Sequence, residues 1–335
     1  MKGLGSMIRC VVAGVFAASI LFLSVNPAVA QSTSIGGVYS LGNFFTKDIL
    51  SNPSVTGLSL RLGWNQIQPQ KGVYDWSFLD SNIKKASTYG KKVMIRVFGG
   101  KYTPGWVYDA GAVPYTFVDT DGVTTLTMPL PWDSVYLQNW RNFIMALGRK
   151  YARKPQVVLI HVTGPCEDGE MYLPESDNQE LWLQLGYSEQ KLTGAWMTAI
   201  DAFSLAFPNT FLAIDISRPA AFGDSLNVLE DVLSYAYRGL GQHLRVQGNW
   251  LSAKTSPDFT LFQIVINYAN YTNVGFQMLC PASDVERFGG TLRQGIDNGL
   301  NAGASYLEIY GGDIRNPVYA EDIKYAGSDL KLNEQ

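Results

Sequence analysis

The sequence predicts an α/β fold made of a single (β/α)8 TIM barrel, and three observations carry that prediction. Eight short apolar runs recur along the chain, each followed by a loop and most by a helical pattern. Strand alternating with helix in this way builds a parallel sheet with helices outside it. No linker, low-complexity tract or repeat divides the chain, so residues 31–335 read as one domain. The competing arrangement, a doubly wound open sheet, lacks its usual mark, because no G-x-G-x-x-G or Walker loop follows the first strand.

In order, the runs are Gly36–Leu41, Gly57–Trp64, Lys92–Phe98, Gln156–Thr163, Phe211–Ser217, Leu244–Trp250, Val274–Leu279 and Ala304–Tyr310. Between them, Trp76–Tyr89 begins with an acidic turn and ends at Gly90, Ser134–Arg153 has apolar residues at helical spacing, and Glu189–Phe207 stops at Pro208. Gly223–Tyr237 and Val285–Asn301 complete the helices, the last ending near Gly303. Segment 99–133 is too long for an ordinary connection and reads as a loop insertion after the third strand, with a small hairpin at Asp121-Gly122.

Residues 1–30 read as a signal peptide rather than as fold. Lys2 and Arg9 precede the apolar core Val11–Leu23, and Ala28-Val29-Ala30 fits an A-x-A cleavage site. That core is too short for a spanning helix, so cleavage after Ala30 and a secreted or periplasmic protein are expected. Net charge is −3, and loss of the two leader cations leaves −5, which argues against nucleic acid or an anionic membrane as partner. An exported setting would permit Cys166 and Cys280 to pair. With these two cysteines and only two histidines, no zinc site of the CxxC or HExxH kind is present, and no metal or cofactor is expected.

Parity inside the strands points to a pocket, because successive side chains face opposite sides. Ser59 and Arg61 oppose Leu58, Leu60 and Leu62, and Met94, Arg96 and Phe98 oppose Val93, Ile95 and Val97. His161 opposes Ile160 and Val162, and Asp215 opposes Ile214 and Ile216. Arg245, Gln247 and Asn249 oppose Leu244 and Val246, Gln277 opposes Phe276 and Met278, and Glu308 opposes Leu307 and Ile309. The aliphatic face suits the outer helices. The other face gains polar groups toward each strand's C-terminal end, where barrel active sites lie.

The segment RLGWNQIQPQKGVYDWSFLD, residues 61–80, resembles the second-strand region of (β/α)8 glycoside hydrolases of the β-galactosidase-like and cellulase-like families. Arg61, Trp64, Pro69, Gly72, Tyr74, Trp76, Leu79 and Asp80 match their shared pattern. The resemblance implies an acid/base glutamate after the fourth strand and a nucleophile at the end of the seventh. After the fourth strand stands GPCEDGEMYLP, which is similar to the Gly-Pro…Gly-Glu loop of β-amylase-like barrels and aligns Glu170 with the general acid, Glu167 and Asp168 remaining alternatives. The seventh strand offers Gln277 where the nucleophile should be. Glu308, inward on the eighth and flanked by Tyr306 and Tyr310, is the more persuasive second carboxylate, with Asp215 and Asp313 also available. Glu308 also reads as a structural partner of Arg61 or Arg96.

Glycoside hydrolysis needs one carboxyl to protonate the leaving oxygen and another to attack the sugar or activate water. Glu170 and Glu308 are the catalytic candidates. Arg61, Arg96, His161, Asp215, Asn249, Gln277 and Tyr310 are candidates for orienting them or binding hydroxyls. Trp64, Trp106 and Trp250 are candidates for stacking on sugar rings, with Trp132, Tyr102 and Tyr172 nearby in sequence. The expected partner is a carbohydrate. The alternative function is a non-catalytic carbohydrate-binding barrel that has lost its strand-seven nucleophile.

Overall fold

The computed structural model describes residues 34–174, 178–217 and 226–334. The predicted signal peptide lies outside them, as do the first residues of the helix expected from Gly223.

Among the described residues ten strands form in chain order: β1 Gly37–Leu41, β2 Val55–Gly63, β3 Lys92–Phe98, β4 Pro114–Val118, β5 Thr125–Pro129, β6 Val157–Val162, β7 Phe211–Ile216, β8 Leu244–Leu251, β9 Val274–Met278 and β10 Ala304–Tyr310. Eight close into a barrel in the order β1-β10-β9-β8-β7-β6-β3-β2, with every neighbouring pair parallel. Closure excludes the open sheet. The insertion after β3 carries the antiparallel hairpin β4–β5, centred on the turn at Asp121-Gly122 as expected.

Helices Ser77–Thr88, Ser134–Tyr151, Glu189–Ala206 and Asn227–Leu240 lie close to their predicted positions. Side-chain caps fix two of these starts, Asp133 accepting from the Tyr136 amide and Ser188 from the Lys191 amide. The helix expected over Val285–Asn301 is instead two, Val285–Phe288 and Leu292–Asn301. Gly289 ends the first in a left-handed conformation, and a Thr291–Gln294 capping box starts the second.

Aliphatic faces of the strands pack against these helices in one continuous core. Inside the lumen a smaller cluster of Ile35, Tyr39, Met94, Val158, Leu159, Ala213 and Tyr306 fills the barrel's lower half. Gly275 makes this possible, since a Cβ there would come within 2.2 Å of the Tyr306 ring. Among the described residues no helix is long and apolar enough to cross a membrane. Cys166 and Cys280 are both buried and both free, so the pairing that an exported setting would permit is not made.

Candidate active site

Two residues beyond each of four lumen-filling side chains, toward the C-terminal end of the same strand, stands a polar one. Met94 is followed by Arg96, Leu159 by His161, Ala213 by Asp215 and Tyr306 by Glu308. A step of two keeps the side chain inside the barrel and raises it by about 7 Å. The result is a charged layer on top of an apolar one.

Glu308 is the hub of that layer and has no exposed surface. Its carboxylate accepts from Ser59 Oγ, from Arg61 Nη2 at 3.0 Å and from Gln247 Nε2 at 2.9 Å. Arg96 Nη2 lies 3.6 Å away and His161 Nε2 3.8 Å. Burial alone would raise this carboxyl. The charges of Arg61 and Arg96, with His161 and Ser59, outweigh burial and hold it at about 2.

Arg96 also pairs with Asp215 at 2.9 Å and lies 3.0 Å from His161 Nδ1, while Asp215 Oδ1 is 3.0 Å from that same nitrogen. Burial, then the Arg96 charge, lowers the His161 pKa. Arg96, His161 and Asp215 are at most 2% exposed. Proposed from the sequence as substrate-binding, they present almost no surface to a substrate, and Glu308 shares that burial. Arg61 keeps a partly exposed edge and donates a second bond to Gln277 Oε1.

Glu170 stands at the rim, half-buried, where the loop after β6 turns back over the lumen. Asn249 Nδ2 donates to its Oε1 at 2.6 Å. Burial, reinforced by Asp215, pushes its pKa up to about 7 against the opposing pull of Arg96 and Asn249. Asn249 and Gln247 join the two glutamates, because Gln247 Nε2 donates at 2.9 Å both to Asn249 Oδ1 and to Glu308. With roughly 2.3 Å across the Asn249 amide, these contacts hold the two carboxyls within about 11 Å of each other. That bound admits both glycosidase spacings, about 5–5.5 Å and 6.5–9.5 Å.

The other carboxylates of the acidic loop are engaged elsewhere, Glu167 and Asp168 both pairing with Lys101. Asp313 accepts from the Ala282 amide. Gln277 is in register with Glu308 on the neighbouring strand.

The aromatic candidates divide. Trp64 is wholly buried, with Trp106, Tyr136, Trp140 and Phe143 around it. It belongs to the core and offers no ring face to a sugar, contrary to expectation. Trp64 follows inward Gly63, so the alternation of β2 already put it on the aliphatic face with Leu58, Leu60 and Leu62. Trp106, Trp250 and Tyr310 are partly exposed. Trp250 packs edge-on against Phe259 and Phe276.

Three site residues were not singled out from the sequence. Ser59 and Gln247 share inward parity with residues that were, so alternation alone could have found them. Lys101 follows a different strand from the acidic loop it neutralises, and only the charge complement hinted at it. Among the described residues no group of three or more His, Cys, Asp or Glu side chains is placed to hold a metal.

Comparison with known proteins agrees with the barrel fold. A family model described as beta-galactosidase matches residues 53–219, which span β2 through β7. Among solved structures, the catalytic domain of beta-amylase from Paenibacillus polymyxa superposes with a TM-score of 0.58 at 12% identity, covering 82% of this chain and 91% of that one. Xylanase XynB from Paenibacillus barcinonensis gives 0.55 at 12% identity over 91% and 96%, and xylanase B from Clostridium stercorarium F9 gives 0.53 at 14% over 88% and 91%. No curated protein matches the sequence. The solved structures share the closed (β/α)8 barrel of this chain. The beta-galactosidase family model covers just under half of the chain, so the chain is similar to that family over β2 through β7.

Proposed function

We propose that the protein is an exported glycoside hydrolase that cleaves O-glycosidic bonds of an oligo- or polysaccharide, with Glu170 as general acid and Glu308 as the ionised carboxylate. One observation carries this reading: two carboxyls joined through Asn249 and Gln247 have been driven apart in acidity, one up to about 7 and the other down to about 2. Such a split is how one site keeps a proton donor and an anion together near neutral pH. Glu170 would protonate the leaving oxygen, and Glu308 would act on the anomeric side as nucleophile or as the base for water. Arg61, Gln277, Asn249 and Tyr310 supply polar groups around the lumen mouth for sugar hydroxyls. The beta-galactosidase match and the structural likeness to a beta-amylase and xylanases support a carbohydrate substrate. Export rests on the leader alone.

The second reading is a non-catalytic carbohydrate-binding barrel. It is favoured by the complete burial of Glu308 and by Gln277 standing where the superfamily resemblance puts a nucleophile. Purified wild type, Glu170→Gln and Glu308→Gln, screened on a glycan panel for released reducing ends and for binding, separate the two. The enzyme reading expects cleavage by the wild type and a loss of about 10²–10⁴-fold in Glu170→Gln, the usual worth of a general acid. Binding without cleavage by the wild type favours the second reading, and cleavage that survives both substitutions removes the residue assignment.

A further inference from the structure

The loop that delivers Glu170 is gripped from the neighbouring strand. Immediately after β3, Lys101 places its ammonium 3.0 Å from Glu167 Oε1 and 3.0 Å from Asp168 Oδ1, and its own backbone amide donates to the Glu167 carbonyl at 3.0 Å. Side chain and backbone therefore hold one residue together. Gly100, just before it, has φ +51°, and a Cβ there would come within 2.1 Å of the Cys166 and Glu167 carbonyl oxygens. The two loops touch backbone to backbone, which only glycine permits. Below the contact, the Gly100 amide donates to Tyr136 Oη and Trp140 Nε1 donates to the Thr163 carbonyl, so helix Ser134–Tyr151 fixes both loops from behind. Lys101 is only 14% exposed and Glu167 5%, so that ion pair is shielded from solvent, whereas Asp168 at 49% keeps an open side.

We propose that Lys101 is a positioning residue: with Gly100 it clamps residues 166–168 and so holds Glu170 over the lumen against Asn249, while Glu167 and Asp168 serve as the clamp's counter-charges. The proposal rests on Glu170 as the acid for its catalytic meaning, and its structural content stands apart from that role. The groups that face Glu170 are Asp215 on β7, Arg96 on β3, Asn249 on β8 and Asp168 on its own loop. Lys101 is not among them. Its removal lowers the Glu170 midpoint only by letting the loop leave its half-buried position.

The test is a carbon-13 NMR titration of glutamate carboxyls in the full chain, with the Glu170 signal assigned by its loss in Glu170→Gln. Wild type is expected to titrate near 7. In Lys101→Met the midpoint is expected to fall by about one pH unit, a tenfold change in proton affinity, with kcat reduced and KM little changed on any glycan that is cleaved. Gly100→Ala, which leaves the lysine in place, is expected to lower it as well. Glu167→Gln, which leaves in place the Asp168 charge that faces Glu170, does the same from the other side of the ion pair and replaces Lys101→Met should that protein not fold. A midpoint at or above the wild-type value in Lys101→Met or in Glu167→Gln overturns the proposal. If only Gly100→Ala lowers it, backbone contact holds the loop and the proposal is equally overturned. A wild type that cleaves no glycan removes the catalytic reading yet leaves the titration able to decide the clamp. An active enzyme with unmoved midpoints loses the clamp and keeps the reading.

Discussion

Two layers of the barrel lumen, one pleat apart on the same strands, are built on opposite principles. The lower layer is Met94, Leu159, Ala213 and Tyr306, apolar except for the tyrosine hydroxyl. The upper is Arg96, His161, Asp215 and Glu308, every member titratable and buried. Backbone, parity and burial are alike in both, so the chemical difference is not imposed by the fold. An apolar layer stabilises by leaving water. Buried charge is costly unless each member is paired, and replacing it with well-packed apolar groups is often neutral or stabilising. The upper layer is therefore retained for what it does to the rim above it: it holds Glu308 ionised and orients Gln247 and Asn249 toward Glu170.

The sharpest way to break the comparison is to remove the cation that the upper layer shares. Arg96→Met leaves Asp215 and Glu308 short of a partner, and urea unfolding at neutral pH is expected to show a loss of about 3–5 kcal/mol. A loss below about 1 kcal/mol would mean that Arg61, Ser59 and Gln247 suffice and that the layer is not a mutually dependent network. The matching cut one pleat below is Met94→Ala. It removes packing alone and is expected to cost about 2–3 kcal/mol, with any glycan cleavage retained once the protein is folded. If Met94→Ala abolishes activity in folded protein, the division into a stabilising layer and a functional one fails.

Much of this division was legible in the sequence. Alternation in KVMIRVF, VVLIHVT, FLAIDIS and YLEIY put Arg96, His161, Asp215 and Glu308 on the inner face, and β3 and β10 begin and end at the expected residues. Alternation does not report depth, however. It could not tell Arg61, which keeps an exposed edge, from Arg96, which has almost none. Trp64 and Trp250 both take the outward parity, following inward Gly63 and Asn249, yet one is wholly buried and the other partly exposed. Glu167 and Asp168 stood as alternatives to Glu170, and Lys101 engages both of them, a contact between two loops that leaves no periodic trace.

The smallest expected effect tests the contrast between the two glutamates directly, through the pH dependence of stability. Glu308 has its folded pKa lowered, so its contribution is present above the ordinary carboxyl value and is lost as pH falls toward 2. Glu170 has its folded pKa raised from 4.5 to about 7, so its sign is opposite. The folded state binds the proton more tightly than the unfolded chain. Stability is full below about 4.5 and is lost as pH rises through 7, where a half-buried carboxylate must ionise. Glu170→Gln removes that ionisation and keeps an oxygen able to accept from Asn249. Relative to wild type it is expected to be more stable by on the order of 1–2 kcal/mol at pH 8, discounted for partial exposure, and unchanged at pH 4. Urea midpoints for both proteins at the two pH values measure this. Equal gains at both would show that Glu170 is strained by its neighbours irrespective of charge, and no gain at either would place its pKa near the ordinary carboxyl range and remove the feature that distinguishes it from Glu308.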